Sequence, residues 1–229
     1  MLRCGSSAIS NIAWCLIVVP GVAHDARGQV TTTPENPGDV PDRQGAWSRL
    51  FDGKSLNGWE LTPFGGEGPV RVQQGAISLG VGSPLTGITK RNGETFPTLD
   101  YEIKLEARRV SGSDFFCGLT FPYQEDHATL ILGGWGGGLV GISCLNQRDA
   151  SENETTKYMS FELGRWYRVR LRTRKNRIEA WMDGKRVVNC YVEDRPVSTR
   201  PEVRLSRPLG IATYDTVGEV RNLEWRRYR

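Results

Sequence analysis

After residue 46 apolar and polar positions alternate in short runs separated by turn residues, and no stretch carries a convincing helical period. Successive side chains of a strand face opposite sides, so Tyr101, Ile103, Leu105 and Ala107 predict a buried face behind an outward Glu102, Lys104 and Glu106. The same alternation puts Val169 and Leu171 inside and Arg168, Arg170, Arg172 and Arg174 outside. A Lys175-Asn176 hairpin would pair Arg174 with Arg177 and add Glu179 and Trp181 to that polar face. Trp181 among arginines reads either as a platform for a sugar ring or as cation–π cover on a convex surface. Further runs such as Val70 to Gln73, Phe115 to Phe121 and Glu219 to Trp225 complete the pattern of an antiparallel sandwich.

The ends divide the rest of the chain. Residues 1–23 have one charge at Arg3, an apolar run from Ile9 to Val19 and a small-x-small Gly21-Val22-Ala23, the pattern of a secretory signal. That run is short of the roughly 20 residues a bilayer-spanning helix needs, and bulky Trp14 argues against lipid attachment at Cys15. Residues 24–45 are rich in Pro, Gly, Thr and Asp without apolar periodicity and are expected to be a flexible leader. Residues 46–229 make one β domain. Removing Arg3 takes the formal charge from +4 to +3, too mild to argue for nucleic acid. Three of the five cysteines, Cys117, Cys144 and Cys190, lie in the domain in apolar strand contexts that suggest buried thiols.

The stretch LFDGKSLNGWE, Leu50 to Glu60, places two glycine turns between Phe51 and Trp59, so both aromatics can fold onto one apolar layer. This stretch resembles the opening signature of the 3-keto-disaccharide hydrolase domain family. DYEIKLEARR from Asp100, GRWYRVRLR from Gly164, IEAWMDGKRV from Ile178 and PLGIATYDTVGEVRNLEWRR from Pro208 follow in the family's order. The resemblance implies an all-β, concanavalin A-like jelly-roll sandwich of two antiparallel sheets, acting on carbohydrate. Where many members of that family carry Asn-Ser-Gly, this chain has Gly112-Ser113-Asp114, and its loop Gly133 to Gly138 reads as a subgroup feature.

Candidate chemistry concentrates mid-chain. Asp114, His127, the Gly133-Gly134-Trp135-Gly136-Gly137-Gly138 loop and the run Arg148 to Thr155 are expected to meet at one end or on the concave face of the sandwich. Bare backbone around Trp135 permits close approach of a flat sugar, and the null is a merely crowded loop. His127, Asp149, Glu152 and Glu154 are the catalytic candidates; Asp114, Trp135, Arg148, Asn153 and Lys104 are the substrate-binding ones. His127 is the domain's one histidine, which excludes a multi-histidine zinc site. No Glu-x-Asp-x-x-Glu or Glu-x-Asp-x-Glu run, nucleophile elbow or dinucleotide fingerprint is present.

The family resemblance implies removal of the proton at C2 of a 3-keto-glycoside, elimination of the C1 substituent and addition of water. The base would be His127 or a carboxylate of the Asp149 to Glu154 loop, and the stabiliser of the enolate Arg148, Lys104 or a carboxylate-bound divalent ion. No cofactor is certain, and a divalent metal ion is the one candidate. The alternatives are a non-catalytic lectin-like carbohydrate-binding module and a surface domain that binds protein through the Trp135 loop. A monomeric, secreted or periplasmic protein without a membrane span or nucleic-acid partner is expected. N-terminal sequencing of exported material should then begin near His24; Met1 retained on cytosolic protein refutes the export signal.

Overall fold

The computed structural model describes residues 45–91 and 96–227. The expected signal at residues 1–23 and all of the expected leader except Gly45 lie outside the described residues. Among the described residues fifteen strands follow one another: β1 (Ser48–Arg49), β2 (Trp59–Leu61), β3 (Val70–Gln73), β4 (Ala76–Leu79), β5 (Leu85–Lys90), β6 (Tyr101–Gly112), β7 (Cys117–Tyr123) and β8 (Asp126–Gly134), then β9 (Leu139–Ser143), β10 (Lys157–Tyr158), β11 (Tyr167–Arg174), β12 (Arg177–Met182), β13 (Lys185–Tyr191), β14 (Gly210–Tyr214) and β15 (Thr216–Arg227). One 3-10 turn, Pro201–Ser206, precedes β14. Among the described residues no helix is long and apolar enough to cross a membrane.

The strands form two antiparallel sheets. An eight-stranded sheet runs β13-β12-β11-β6-β15-β4-β3, with β1 also on β15, and a seven-stranded sheet runs β10-β9-β8-β7-β14-β5-β2. The expected hairpin pairs Arg174 with Arg177. Inward faces of both sheets bury Ile103, Leu105, Val169, Leu171, Ile178 and Ala180 against Leu119, Leu130, Ile142 and Ile211. This apolar burial drives the two sheets together. The outward face of β6 is less solvated than alternation predicts: Glu102 is wholly buried, because Arg172 and Arg226 donate to it from both neighbouring strands at 2.9 and 2.6 Å. Cys117, Cys144 and Cys190 are free, buried thiols, and burial pushes Cys117 up to about 12 and Cys190 up to about 11.

Strand β5 is hidden on both sides, so its sequence LTGITK shows no polar alternation. One side meets the core through Ile88, and the other lies beneath Phe64 and the 3-10 turn. The Leu50–Glu60 stretch does close on itself. Asp52 accepts the amides of Lys54 and Ser55, each at 2.7 Å, while the Trp59 amide donates to Leu56. Trp59, 1% exposed, donates its indole N–H to the Leu50 carbonyl at 2.7 Å. Trp59→Phe removes that donor and leaves a void, so we expect a loss of about 2–3 kcal/mol. A lowered urea midpoint at unchanged m-value checks it; an unchanged midpoint refutes the clasp.

Candidate functional site

The outward face of the seven-stranded sheet is built from small residues: Gly118 and Thr120 on β7, Thr129 on β8, Gly141 and Ser143 on β9, Gly210 and Ala212 on β14. Such a floor lets another chain segment lie close against it. A methyl at Gly210 would stand 2.5 Å from the Ser206 carbonyl oxygen, so only glycine admits the 3-10 turn there. Leu85, Phe115, Ile131, Val203 and Ala212 form a second apolar layer between sheet and turn. Beside this layer a cleft of about 260 Å³ remains, with Thr129 and Ser143 in its lining and Asp114, Trp135, Arg200 and Glu202 around it.

Trp135 follows directly on β8 with φ +48 and is 40% exposed. Its loop is fixed from beneath by Arg109, which occupies an inward position of β6 where alternation calls for an apolar residue. The Arg109 guanidinium, on a side chain 6% exposed, reaches the carbonyls of Asp114, Gly133 and Gly137 at 3.0, 3.0 and 2.8 Å. It also stacks on Phe116 and Phe161, with 5.3 and 5.9 Å to the ring centres. Burial lowers its pKa, opposed by the Asp114 carboxylate. Gly133 has φ +78, and a methyl there would lie 2.4 Å from the guanidinium. Asp114 completes the support by accepting the amides of Phe115 at 2.7 Å and Gly136 at 3.1 Å.

Arg200 enters from the segment before β14. It donates to Asp149 at 2.7 Å and to Glu202 at 2.7 and 3.3 Å, and lies 5.9 Å from the Trp135 ring centre. Asp149 is held by Ser151, whose amide and hydroxyl donate to its other oxygen at 2.9 and 2.6 Å. The Arg200 hydrogen bond lowers the Glu202 pKa against the opposing effect of burial, and Glu202 raises that of Arg200.

The sequence-derived cluster therefore divides. Asp114, Trp135 and Arg200 line one cleft, and Asp149 joins it through its hydrogen bond to Arg200. His127 stands near the start of β8, two positions before Thr129, and Trp135 just past the end of that strand, eight positions on and about 25 Å along an extended chain. Burial and nearby Arg207 lower the His127 pKa, and Nδ1 is buried without a hydrogen-bond partner. Glu152 is exposed on its loop. Glu154 turns to Arg195 and the Cys190 thiol beside β13; burial raises its pKa, but the Arg195 hydrogen bond outweighs that and the pKa is lowered. Asn153 folds the loop: its amide donates to the carbonyls of Ile142 and Asp149, and its oxygen accepts from the Thr155 amide. Arg148 is exposed at the end of a turn closed on Leu145. Lys104 lies on the other sheet, 2.7 Å from Glu224 and 4.2 Å over Trp47.

Sequence reasoning missed Arg109, Arg200 and Glu202. Arg109 had a signal, the inward register of DYEIKLEARR; Arg200 and Glu202 sit in an irregular segment with none. Among the described residues no three His, Cys, Asp or Glu side chains gather as a cation site would require. Asp149 and Glu202 face a guanidinium that a divalent ion would have to displace, so the residues of the cleft do not fit one.

An antiparallel sandwich with an aromatic at the mouth of a hydroxyl-lined, charged cleft is the architecture of a carbohydrate-active, glycosyl hydrolase-like domain. Residues 46–226 match the 3-keto-α-glucoside-1,2-lyase-like domain family, and the chain belongs to it. The fold is similar to that of a Parabacteroides distasonis ATCC 8503 protein provisionally classed as a glycosyl hydrolase, at 13% identity and TM-score 0.50, over 80% of this chain and 94% of that one. It is also similar to domain 4 of AbnA, a GH43 extracellular arabinanase from Geobacillus stearothermophilus in complex with arabinotriose, at 12% identity and TM-score 0.50, over 81% and 93% of the two chains. No curated protein matches the sequence.

Arg109→Met should cost about 2–3 kcal/mol, since the buried carbonyls of Gly133 and Gly137 lose this donor while that of Asp114 keeps the Thr216 hydroxyl, and should speed amide exchange across Gly133–Gly138 while the β7–β8 ladder stays protected. Arg109→Lys should rescue only part of the loss, because an ammonium lacks the flat guanidinium that lies over Phe116 and Phe161. Unaltered exchange in the loop of Arg109→Met refutes the supporting role.

Proposed function

We propose that the cleft beside Trp135 binds a 3-keto-glycoside and cleaves it by elimination followed by hydration. The observation that carries this reading is Arg200, clamped between Asp149 and Glu202 at the cleft and close to an exposed indole. A ketone at C3 acidifies the C2 hydrogen, and the step then needs a base and a cation near the ketone oxygen. Glu202 supplies the base: its side chain is 46% exposed and is held ionised by Arg200. Arg200 supplies the cation, and Asp149 fixes its orientation. Glu202 takes the C2 proton as negative charge develops on the ketone oxygen opposite Arg200. The C1–O bond then breaks, the C1–C2 double bond forms, and the leaving alkoxide takes a proton from the carboxylic acid just made. Water adds to C1 of the enone, with return of a proton to C2. Trp135 offers a face to the sugar's C–H bonds.

Export to the periplasm or medium through the signal at residues 1–23 belongs to the same proposal, since it would place the protein among external glycosides. A second reading, a carbohydrate-binding module without turnover, is favoured by the half-exposed Trp135 and by the fold shared with an arabinanase domain that holds arabinotriose.

Incubation with a 3-keto-disaccharide and its unoxidised parent separates the two. An enzyme releases the aglycone from the ketone alone; a binding module holds sugar and releases nothing. Glu202→Gln should lower kcat by about 100-fold or more with little change in binding, whereas Trp135→Ala should weaken binding about tenfold, roughly 1.4 kcal/mol. Because Arg200 lowers the Glu202 pKa, the active carboxylate persists above that value and is lost as pH falls through it. The acid limb of kcat/KM should therefore lie below the ordinary glutamate value of 4.5. Full turnover in Glu202→Gln removes it as the base.

A further inference from the structure

The outward face of the eight-stranded sheet, across the sandwich from the Trp135 cleft, holds a groove of about 500 Å³. One row of paired positions crosses it: Arg186 on β13, Trp181 on β12, Arg170 on β11, Lys104 on β6 and Glu224 on β15. Five strands at the usual spacing make this row about 19 Å long, enough for an extended oligosaccharide. Two irregularities shape the groove. The β15 ladder carries an extra residue between Arg221 and Glu224, with Asn222 at φ +53, and the β12–β13 register shifts between Ala180 and Trp181. Bulges re-aim side chains, and here Asn222 and Trp181 both line the groove.

The charges on this face are unevenly satisfied. Glu106 accepts from Arg221 at 2.8 Å and from Asn222 at 3.1 Å, and Glu224 is 2.7 Å from Lys104. Arg170 reaches Glu102 only at 3.5 Å and Arg168 reaches Asp183 only at 3.8 Å, both longer than a charge-assisted hydrogen bond. Arg168 is 77% exposed, and the Arg170 guanidinium lies 4.0 Å from the Trp181 ring centre.

We propose that this groove is a second carbohydrate site, for an anionic polysaccharide bearing carboxylates. The planar forks of Arg168 and Arg170 match a carboxylate in geometry as well as charge, and Trp181 offers an aromatic edge to the sugar rings. Glu106 and Glu224 decide the kind of polyanion. They accept hydrogen bonds from hydroxyls and repel a phosphate chain with its dense charge, which selects a polyhydroxylated polymer with at most one carboxylate per sugar. The groove shares no residue with the Trp135 cleft, so occupancy of one leaves the other open and would hold the protein on a polymer while the cleft works.

Titration with polygalacturonate, dextran and single-stranded DNA at matched ionic strength tests the assignment. Polygalacturonate should bind with an affinity that falls as salt rises, and dextran and DNA at least tenfold more weakly. The double variant Arg168→Gln/Arg170→Gln should lose tenfold or more in affinity for polygalacturonate with unchanged action on a 3-keto-disaccharide. Arg168→Gln alone, on an exposed side chain whose loss leaves the fold intact, should lose severalfold and carries the test if the double variant unfolds. Wild-type affinity in these variants, DNA binding equal to that of polygalacturonate, or no polygalacturonate binding by the wild type overturns the proposal.

Discussion

One buried cation at the end of the sandwich governs the presentation of the cleft. Arg109 sits where β6 would otherwise bury a hydrocarbon, and its guanidinium meets the backbone carbonyls of Asp114, Gly133 and Gly137. Burying an arginine costs less when its donors are used and its flat faces are covered; here Nη2 carries the hydrogen bonds and Phe116 and Phe161 do the covering, while Nε is buried without a partner. The loop that supplies two of the carbonyls is thereby fixed in a shape that turns Trp135 outward. The exposed aromatic depends on a charge hidden behind it, and the glycines beside it leave the room that the guanidinium occupies.

The two outer faces of the sandwich treat charge in opposite ways. On the eight-stranded sheet, arginines and glutamates alternate so closely that Glu102 loses all contact with water without losing its partners. On the seven-stranded sheet, charge is nearly excluded, and Gly, Ala, Ser and Thr make a floor low enough for the segment around the 3-10 turn to lie across. The first face is a lattice in which each ion leans on several others. The second is a bed, and the cleft is the part of it left uncovered.

Much of this was legible in the sequence, and the parts that were not share a cause. The bounds of β3, the inward and outward residues of β11 and the Lys175-Asn176 hairpin follow from alternation, because β3 and β11 each turn one face more to solvent than the other. Strand β5 escaped because it is dry on both, and a hidden Gly-Thr-rich strand has no period to detect. Of the candidate site, Trp135, Asp114 and Asp149 could be singled out, since carboxylates and an aromatic among glycines are conspicuous in one dimension. Arg200 and Glu202 could not. Their position is set by a segment that returns across the sheet, and nothing local in Arg200-Pro201-Glu202 says where it lands. Asn153 and Glu154 were misleading for the converse reason: their side chains look free for chemistry, but the loop's own backbone and Arg195 claim them.

The placement of Arg200 and Glu202 has an evolutionary corollary. Both stand on a crossing segment that adds no strand to either sheet and meets the floor through an apolar contact at Val203, a close approach at Gly210 and a hydrogen bond from the Thr89 hydroxyl to the Leu205 carbonyl. Selection could therefore exchange that crossing almost whole, replacing the charged groups set over the cleft while the two sheets, the buried arginine and the tryptophan stay as they are. In such a design chemistry becomes an interchangeable part and the sandwich a chassis, so that divergence in substrate need leave little trace in the strands by which relatives are recognised.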